Sequence, residues 1–150
     1  MVTENKFEDE KAKNNSLIKM FVALADATRG DGYLSFANLQ TRPFMKYWKY
    51  FAICKYLEDE DDFETIFCGT ELVNRLGSDQ TGTKVKGKNY ALTADKIFNI
   101  QKQALTEIKA IYLSGDLKHK NRDYTKWVQV KMGIKFDNAV RGTVTLLIIE

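Results

Sequence analysis

Residues 77–84, GSDQTGTK, carry two glycines at the separation of a phosphate-binding loop, but they close on Thr83 and Lys84 in the reverse of the usual lysine-first order. Such a loop needs a buried strand before its first glycine and a helix after its lysine, because backbone N–H groups and the helix N-terminus together hold the anion. Here the preceding residues, TELVNRL, have helical spacing, and TKVKGKN after Gly82 has none. The segment therefore reads as turn chemistry, with Gly77 ending a short helix, Gly82 turning the chain and Lys84 as a solvated side chain. His119, the only histidine, lies between Lys118 and Lys120 in a polar stretch, which fits an exposed loop residue better than a general base or a haem ligand. Cys54 and Cys68 stand in apolar stretches and read as inert core thiols. One histidine and no third thiol leave no zinc set. The acidic block EDEDD at 58–62 lacks the glycine and glutamate offsets of a calcium loop. No carboxylate pair stands in an apolar setting that would raise its pKa. Catalysis is not expected.

Aromatic residues Phe44, Tyr47, Trp48, Tyr50 and Phe51 interleave with Lys46 and Lys49, a pattern that single-strand nucleic-acid binders use for stacking. From Lys84 to Lys131, lysine and arginine outnumber aspartate and glutamate by eleven to four. The formal net charge is nevertheless only +3. Core packing for the aromatics and solvation for the lysines are the expected reading, and nucleic acid is not an expected partner.

The elements that position these residues follow from periodicity. SLIKMFVALADATRG predicts a first helix, capped by Ser16 and ended by Gly30, with Leu17, Met20, Phe21 and Leu24 as its apolar stripe. Residues 33–46 show no clean period. YWKYFAICKYL (47–57) and FETIFCG (63–69) predict a hairpin across the acidic block, and the apolar residues on both faces of the first strand imply cover on both sides. TELVNRLG predicts a short helix with Thr70 as N-cap. LTADKIFNIQKQALTEIK predicts the longest helix, with Ile97, Ile100, Ala104 and Ile108 inward. Three strands end the chain: AIYLSGDL, then WVQVKMGIKF, then TVTLLIIE, with KHKNRD and DNAVRG as connections. In the second of these, Val128, Val130, Met132, Ile134 and Phe136 alternate against Gln129, Lys131 and Lys135.

At 150 residues, 44% hydrophobic and 29% charged, the chain fits one domain with a sizeable core. Residues 1–15 read as a flexible leader and 16–150 as a single domain. No apolar run reaches a membrane span, and MVTENKFEDEKAKNN has neither signal- nor transit-peptide character. Two thiols without a disulfide pattern fit a reducing compartment, so a cytoplasmic location is expected.

This order of elements, together with IFCGTELVNRLGSDQTG, resembles a PAS domain, and more narrowly the stand-alone PAS proteins abundant in alphaproteobacteria. Gly69, Thr70, Gly77, Asp79, Thr81 and Gly82 sit on that family's motif positions. The chain departs from it in carrying Ile66 where arginine is usual, and Phe21 and Val22 where the first helix often has tryptophan. The resemblance implies an α+β fold: a five-stranded antiparallel sheet with helices on one face and an N-terminal helix outside the core. It also implies an apolar pocket between sheet and helices and a non-catalytic sensory or signalling role, through a homodimer or a signalling protein partner. The alternative is a constitutive dimerisation or scaffold module without a ligand. The candidate pocket residues are Phe67, Leu72, Leu76, Ile97, Ile100, Ala104, Val128, Val130 and Met132. A small apolar or aromatic molecule would suit them; no particular cofactor is assigned, and haem is not expected.

Overall fold

The structure, a computed structural model, describes residues 7–87, 94–117 and 125–150. The described residues form an α+β fold built on a mixed, open six-stranded sheet. Its helices are α1 (Glu10–Asn14), α2 (Ser16–Arg29), α3 (Phe36–Leu39), α4 (Thr70–Leu76) and α5 (Ala94–Thr106), with short 3-10 helices at Arg42–Tyr50 and Val85–Gly87. The strands are β1 (Leu34–Ser35), β2 (Phe51–Leu57), β3 (Asp62–Cys68), β4 (Ile111–Leu117), β5 (Thr125–Phe136) and β6 (Ala139–Ile149).

The sheet order is β1-β5-β6-β2-β3, and β4 also pairs with β5. β4 takes the first half of β5, from Thr125 to Lys131, while β1 pairs with Ile134 and Lys135 farther along the same edge. The five long strands are antiparallel to their neighbours, and the two-residue β1 is the parallel element. The expected five-stranded antiparallel sheet is thus extended by a sixth, parallel strand. Residues 33–46 had no clean period because they change conformation every few residues. A capping box between Ser35 and Asn38 starts α3, and Pro43 stands in the first turn of the 3-10 helix. That 3-10 helix takes Tyr47–Tyr50, the first four residues of the stretch expected to be strand.

Helices cover both faces of the sheet, not one. On the outer face, α2 packs with α3 and the 3-10 helix over Phe51, Ile53, Val130, Met132, Ile134, Val144 and Leu146. Phe21 of α2 has no solvent exposure and meets Phe44, Tyr47 and Phe51 edge-on, at ring-centre distances of 6.2, 5.5 and 5.4 Å. The N-terminal helix therefore belongs to the core rather than lying outside it. Its buried stripe is Ile18, Phe21 and Ala25, and Met20, expected inward, is exposed. The cap is Asn15, whose side chain accepts the Ile18 N–H, so the helix starts with Ser16 already inside it. The aromatics that could have stacked bases are instead packed: Phe44, Tyr47 and Phe51 are buried, and the Trp48 indole N–H donates to the Leu39 carbonyl at 2.7 Å.

Residues 7–15, expected to be flexible leader, are tied to the sheet. Asp9 N–H donates to the Tyr112 carbonyl, Tyr112 N–H to the Phe7 carbonyl, and the Ser114 hydroxyl to the Asp9 carboxylate. Ala12 of α1 is fully buried.

On the inner face lie α4, the short 3-10 helix and α5. α5 approaches the sheet closely enough that a Cβ on Gly133 of β5 would stand 2.3 Å from the Ala104 carbonyl oxygen. Glycine there lets the backbone of helix and strand meet. The β5–β6 hairpin turns through Asp137 and Asn138 alone, both at positive φ (52° and 75°), so β6 begins at Ala139 within the expected DNAVRG connection. Among the described residues no helix is long and apolar enough to cross a membrane.

Candidate functional site

A cavity of about 170 Å³ lies between the inner face of the sheet and α4 and α5. Strand alternation decides which side chains reach it. Along β5, Trp127, Gln129 and Lys131 face the cavity, and Val128, Val130 and Met132 point to the outer layer under α2. β6 contributes Thr145 and Leu147, and β2 contributes Ala52 and Cys54. β3 contributes two residues three apart, Thr65 and Cys68, because the β2–β3 register shifts between Ile53 and Cys54. That bulge turns Ile66 and Phe67 together to the outer face, where they pack against the α2 cluster.

The opposite wall comes from helices. α4 supplies Leu72 and Leu76, and α5 supplies Ile97, Ile100 and Gln101. Gln80 from the loop after α4 and Val85 close the same side, and Leu113 of β4 completes the lining.

Of the candidate pocket residues, Leu72, Leu76, Ile97 and Ile100 line the cavity. Ala104 is buried beside it with Ile100 and Ile111. Phe67, Val128, Val130 and Met132 lie on the other face of the sheet, a correction with two physical causes. The β3 bulge breaks strict alternation at Phe67. In β5 the alternation is as expected, but the more apolar set packs under α2 and the more polar set faces the cavity. Trp127, Gln129 and Lys131 were missed for that reason, and Thr145 of β6, Gln101 of α5 and Cys54 of β2 line the cavity with them. A signal was present in the sequence: if β2 is covered on both faces, the Gln129 and Lys131 face of its sheet cannot be open to water.

Several polar side chains of this region are bonded to one another. Lys131, only 7% exposed, donates from Nζ to Thr145 Oγ1 at 2.5 Å. Thr143, the next inward position along β6, donates to Gln101 Oε1 at 2.5 Å and so fastens α5 to the sheet. Cys54 Sγ stands 3.6 Å from Thr65 Oγ1, and both cysteines are free thiols. Outside the cavity, Lys102 of α5 reaches Tyr56 Oη at 3.1 Å and Asp61 Oδ1 at 3.2 Å, while the Tyr56 hydroxyl donates to the same carboxylate. Bonds from Tyr56 and then Lys102 hold the Asp61 carboxyl below its usual range, and bonds to Tyr56 and Asp61 raise Lys102.

The glycine-rich segment forms the rim of this site. Gly77 caps α4 at φ 86° and Gly82 turns at φ 88°, both in the left-handed region. Gly82 N–H donates to the Thr65 carbonyl and Thr65 N–H to the Thr83 carbonyl, so the returning chain pairs with β3. Asp79 Oδ1 accepts both the Thr81 hydroxyl and N–H, at 2.7 and 2.9 Å, which lowers its pKa. A carboxylate thus occupies the place where a phosphate loop would offer donors. Lys84 is paired with Glu60 rather than simply solvated. Thr70 is the first residue of α4, and Gly69 is its N-cap. His119 and the whole of the KHKNRD connection lie outside the described residues. Among the described residues, no group of three or more histidine, cysteine or acidic side chains is placed to hold a metal ion.

Comparison with protein-family models, with curated proteins and with solved structures gives no match to this chain.

Proposed function

We propose that this chain is a non-catalytic sensory or signalling domain of PAS type. It binds one small molecule in the inner-face cavity and conveys occupancy to a protein partner or a second copy. The cavity is the observation that carries the reading. An engineered cavity of about 150 Å³ already admits benzene, and this one, at about 170 Å³, is of that size.

Two further features support the reading. Five long antiparallel strands, with α4 and α5 between the second and third of them, agree with the antiparallel-sheet part of what the resemblance implies, while the sixth, parallel strand and the helices on both faces depart from it. The motif stretch IFCGTELVNRLGSDQTG also supplies Cys68, Leu72, Leu76 and Gln80 to the cavity lining. The motif positions themselves, Gly69, Thr70, Gly77, Asp79, Thr81 and Gly82, are not in the lining; the residues interleaved with them are.

Native mass spectrometry of protein purified from its own host tests the proposal. A mass increment of one small organic molecule per chain, lost on solvent extraction, is the expected result. A bare chain, with nothing released on extraction, would overturn it.

A further inference from the structure

A half-used carboxamide on the helical side of the cavity selects a class of ligand. Gln101 of α5 is only 3% exposed, yet it lines the cavity, and a carboxamide has two hydrogen-bonding ends to satisfy. One end is taken: Oε1 accepts the Thr143 hydroxyl at 2.5 Å. The other end is open, since no described residue accepts a hydrogen bond from Nε2. Among the described residues no fully enclosed side-chain nitrogen or oxygen lacks a partner, so Nε2 keeps a small free surface. In a residue buried to this degree, that surface is on the cavity it lines. The Thr143 bond also holds the amide in place, so the donor is set before a ligand arrives. Around it the chamber is largely apolar, with Leu72, Leu76, Ile97 and Ile100 from the helices and Trp127 and Leu147 from the strands.

We propose that the cavity takes a neutral carbonyl compound built on one ring, an aromatic ketone or amide, whose carbonyl oxygen accepts from Gln101 Nε2. This rests on the ligand-binding reading above and names the ligand class for that site. The ring packs against the apolar lining, and a volume of about 170 Å³ limits the body to roughly one ring. A neutral amide donor satisfies a carbonyl oxygen, but it brings no charge to offset a buried carboxylate. The Lys131 ammonium on the strand wall is engaged within the protein, with Thr145 among its partners, and is not called on to hold the ligand. A hydrocarbon of the same shape would close the cavity over Nε2 and leave that donor buried without an acceptor.

Three probes test the assignment: acetophenone, α-methylstyrene, which has the same shape with CH2 in place of the oxygen, and benzoate. Binding is followed by NMR at the Ile97 and Ile100 methyl groups and at the Gln101 side-chain amide. Acetophenone should shift a Gln101 amide proton downfield, and α-methylstyrene should not. Gln101→Leu should lower the affinity for acetophenone relative to α-methylstyrene by about ten-fold, because the bound carbonyl loses its donor. The double variant Gln101→Leu, Thr143→Val removes both partners of the internal bond and gives a second route if Gln101→Leu alone does not fold. An affinity ratio unchanged by the variants, a Gln101 amide that does not respond to acetophenone, or benzoate bound more tightly than acetophenone would overturn the assignment and leave the cavity a ligand site of another class. Silence from all three probes would also overturn the assignment. The wider reading would then stand or fall on the mass spectrum of host-purified protein.

Discussion

Replacing Phe21 by alanine removes the ring at the centre of the outer layer. That ring has no solvent exposure and meets Phe44, Tyr47 and Phe51 edge-on. Truncating a buried phenylalanine to alanine costs about 3–5 kcal/mol through lost transfer energy and the void left behind. Each edge-on aromatic contact adds about 0.5–1.5 kcal/mol beyond burial, which places Phe21→Ala at the upper end, about 4–5 kcal/mol. For a domain of this size that corresponds to a fall in Tm of roughly 10–20 °C. Urea unfolding followed by tryptophan fluorescence and far-ultraviolet circular dichroism measures it, and the two signals should move together. Leu76→Ala is the control. Leu76 is partly buried and faces space that is already vacant, so its truncation should cost only about 1–2 kcal/mol by lost apolar area. A cost below about 1 kcal/mol for Phe21→Ala, or a fluorescence transition separated from the loss of helix, would refute the placement of α2 in the core.

Gly133→Ala would set a methyl against the Ala104 carbonyl and force α5 away from the sheet, with an expected loss of about 1–3 kcal/mol in denaturant titration; a change below about 0.5 kcal/mol would show that the helix does not rest there. Thr143→Val leaves buried Gln101 Oε1 without its donor and should cost about 1–3 kcal/mol, and a double-mutant cycle with Gln101→Leu should show coupling of at least about 0.5 kcal/mol; additive losses would count against the bond. Asp61, whose pKa is lowered by Tyr56 and Lys102, stabilises the fold above the ordinary carboxylate value of 3.8, and that contribution is lost as pH falls through the lower folded value. Lys102, whose pKa is raised, contributes fully below its ordinary value of 10.5 and loses the contribution as pH rises through the higher folded value. Asp61→Asn should therefore flatten both limbs of a stability–pH curve, and identical curves for variant and parent would remove the Asp61–Tyr56–Lys102 cluster from the account.

Much of the element order was legible because helices and strands announce themselves by period. The β2–β3 hairpin, α4, α5 and the three final strands all lie close to their expected places. Three kinds of information were not local. Whether Phe21 and Ile18, or Met20, face inward depends on what α2 lies against, and a stripe of mixed apolar residues permits either rotation. The bulge at Ile66 is set by pairing with β2, so the outward turn of Phe67 cannot be read from β3 alone. In a sheet covered on both faces, alternation sorts residues into two sets without saying which set meets a void. Composition suggested that the apolar set of β5 lines the pocket, whereas the helices of the outer layer use that set for packing. The unmatched face then presents Gln129 and Lys131 to the cavity. In the turn segment GSDQTGTK the backbone roles of Gly77 and Gly82 were legible, since both take conformations that a side chain would strain, whereas the pairing of Lys84 with Glu60 across the fold was not.

Xenon binding followed by methyl NMR tests the inner-face cavity most directly, because xenon enters apolar voids without requiring a particular ligand. Under xenon pressure the methyl resonances of Leu72, Leu76, Ile97 and Leu113 should shift along a saturable curve, while those of Val128, Val130 and Met132 stay fixed. Shifts at the outer-face methyls instead, or none at the inner face, would contradict a chamber between the sheet and α4 and α5.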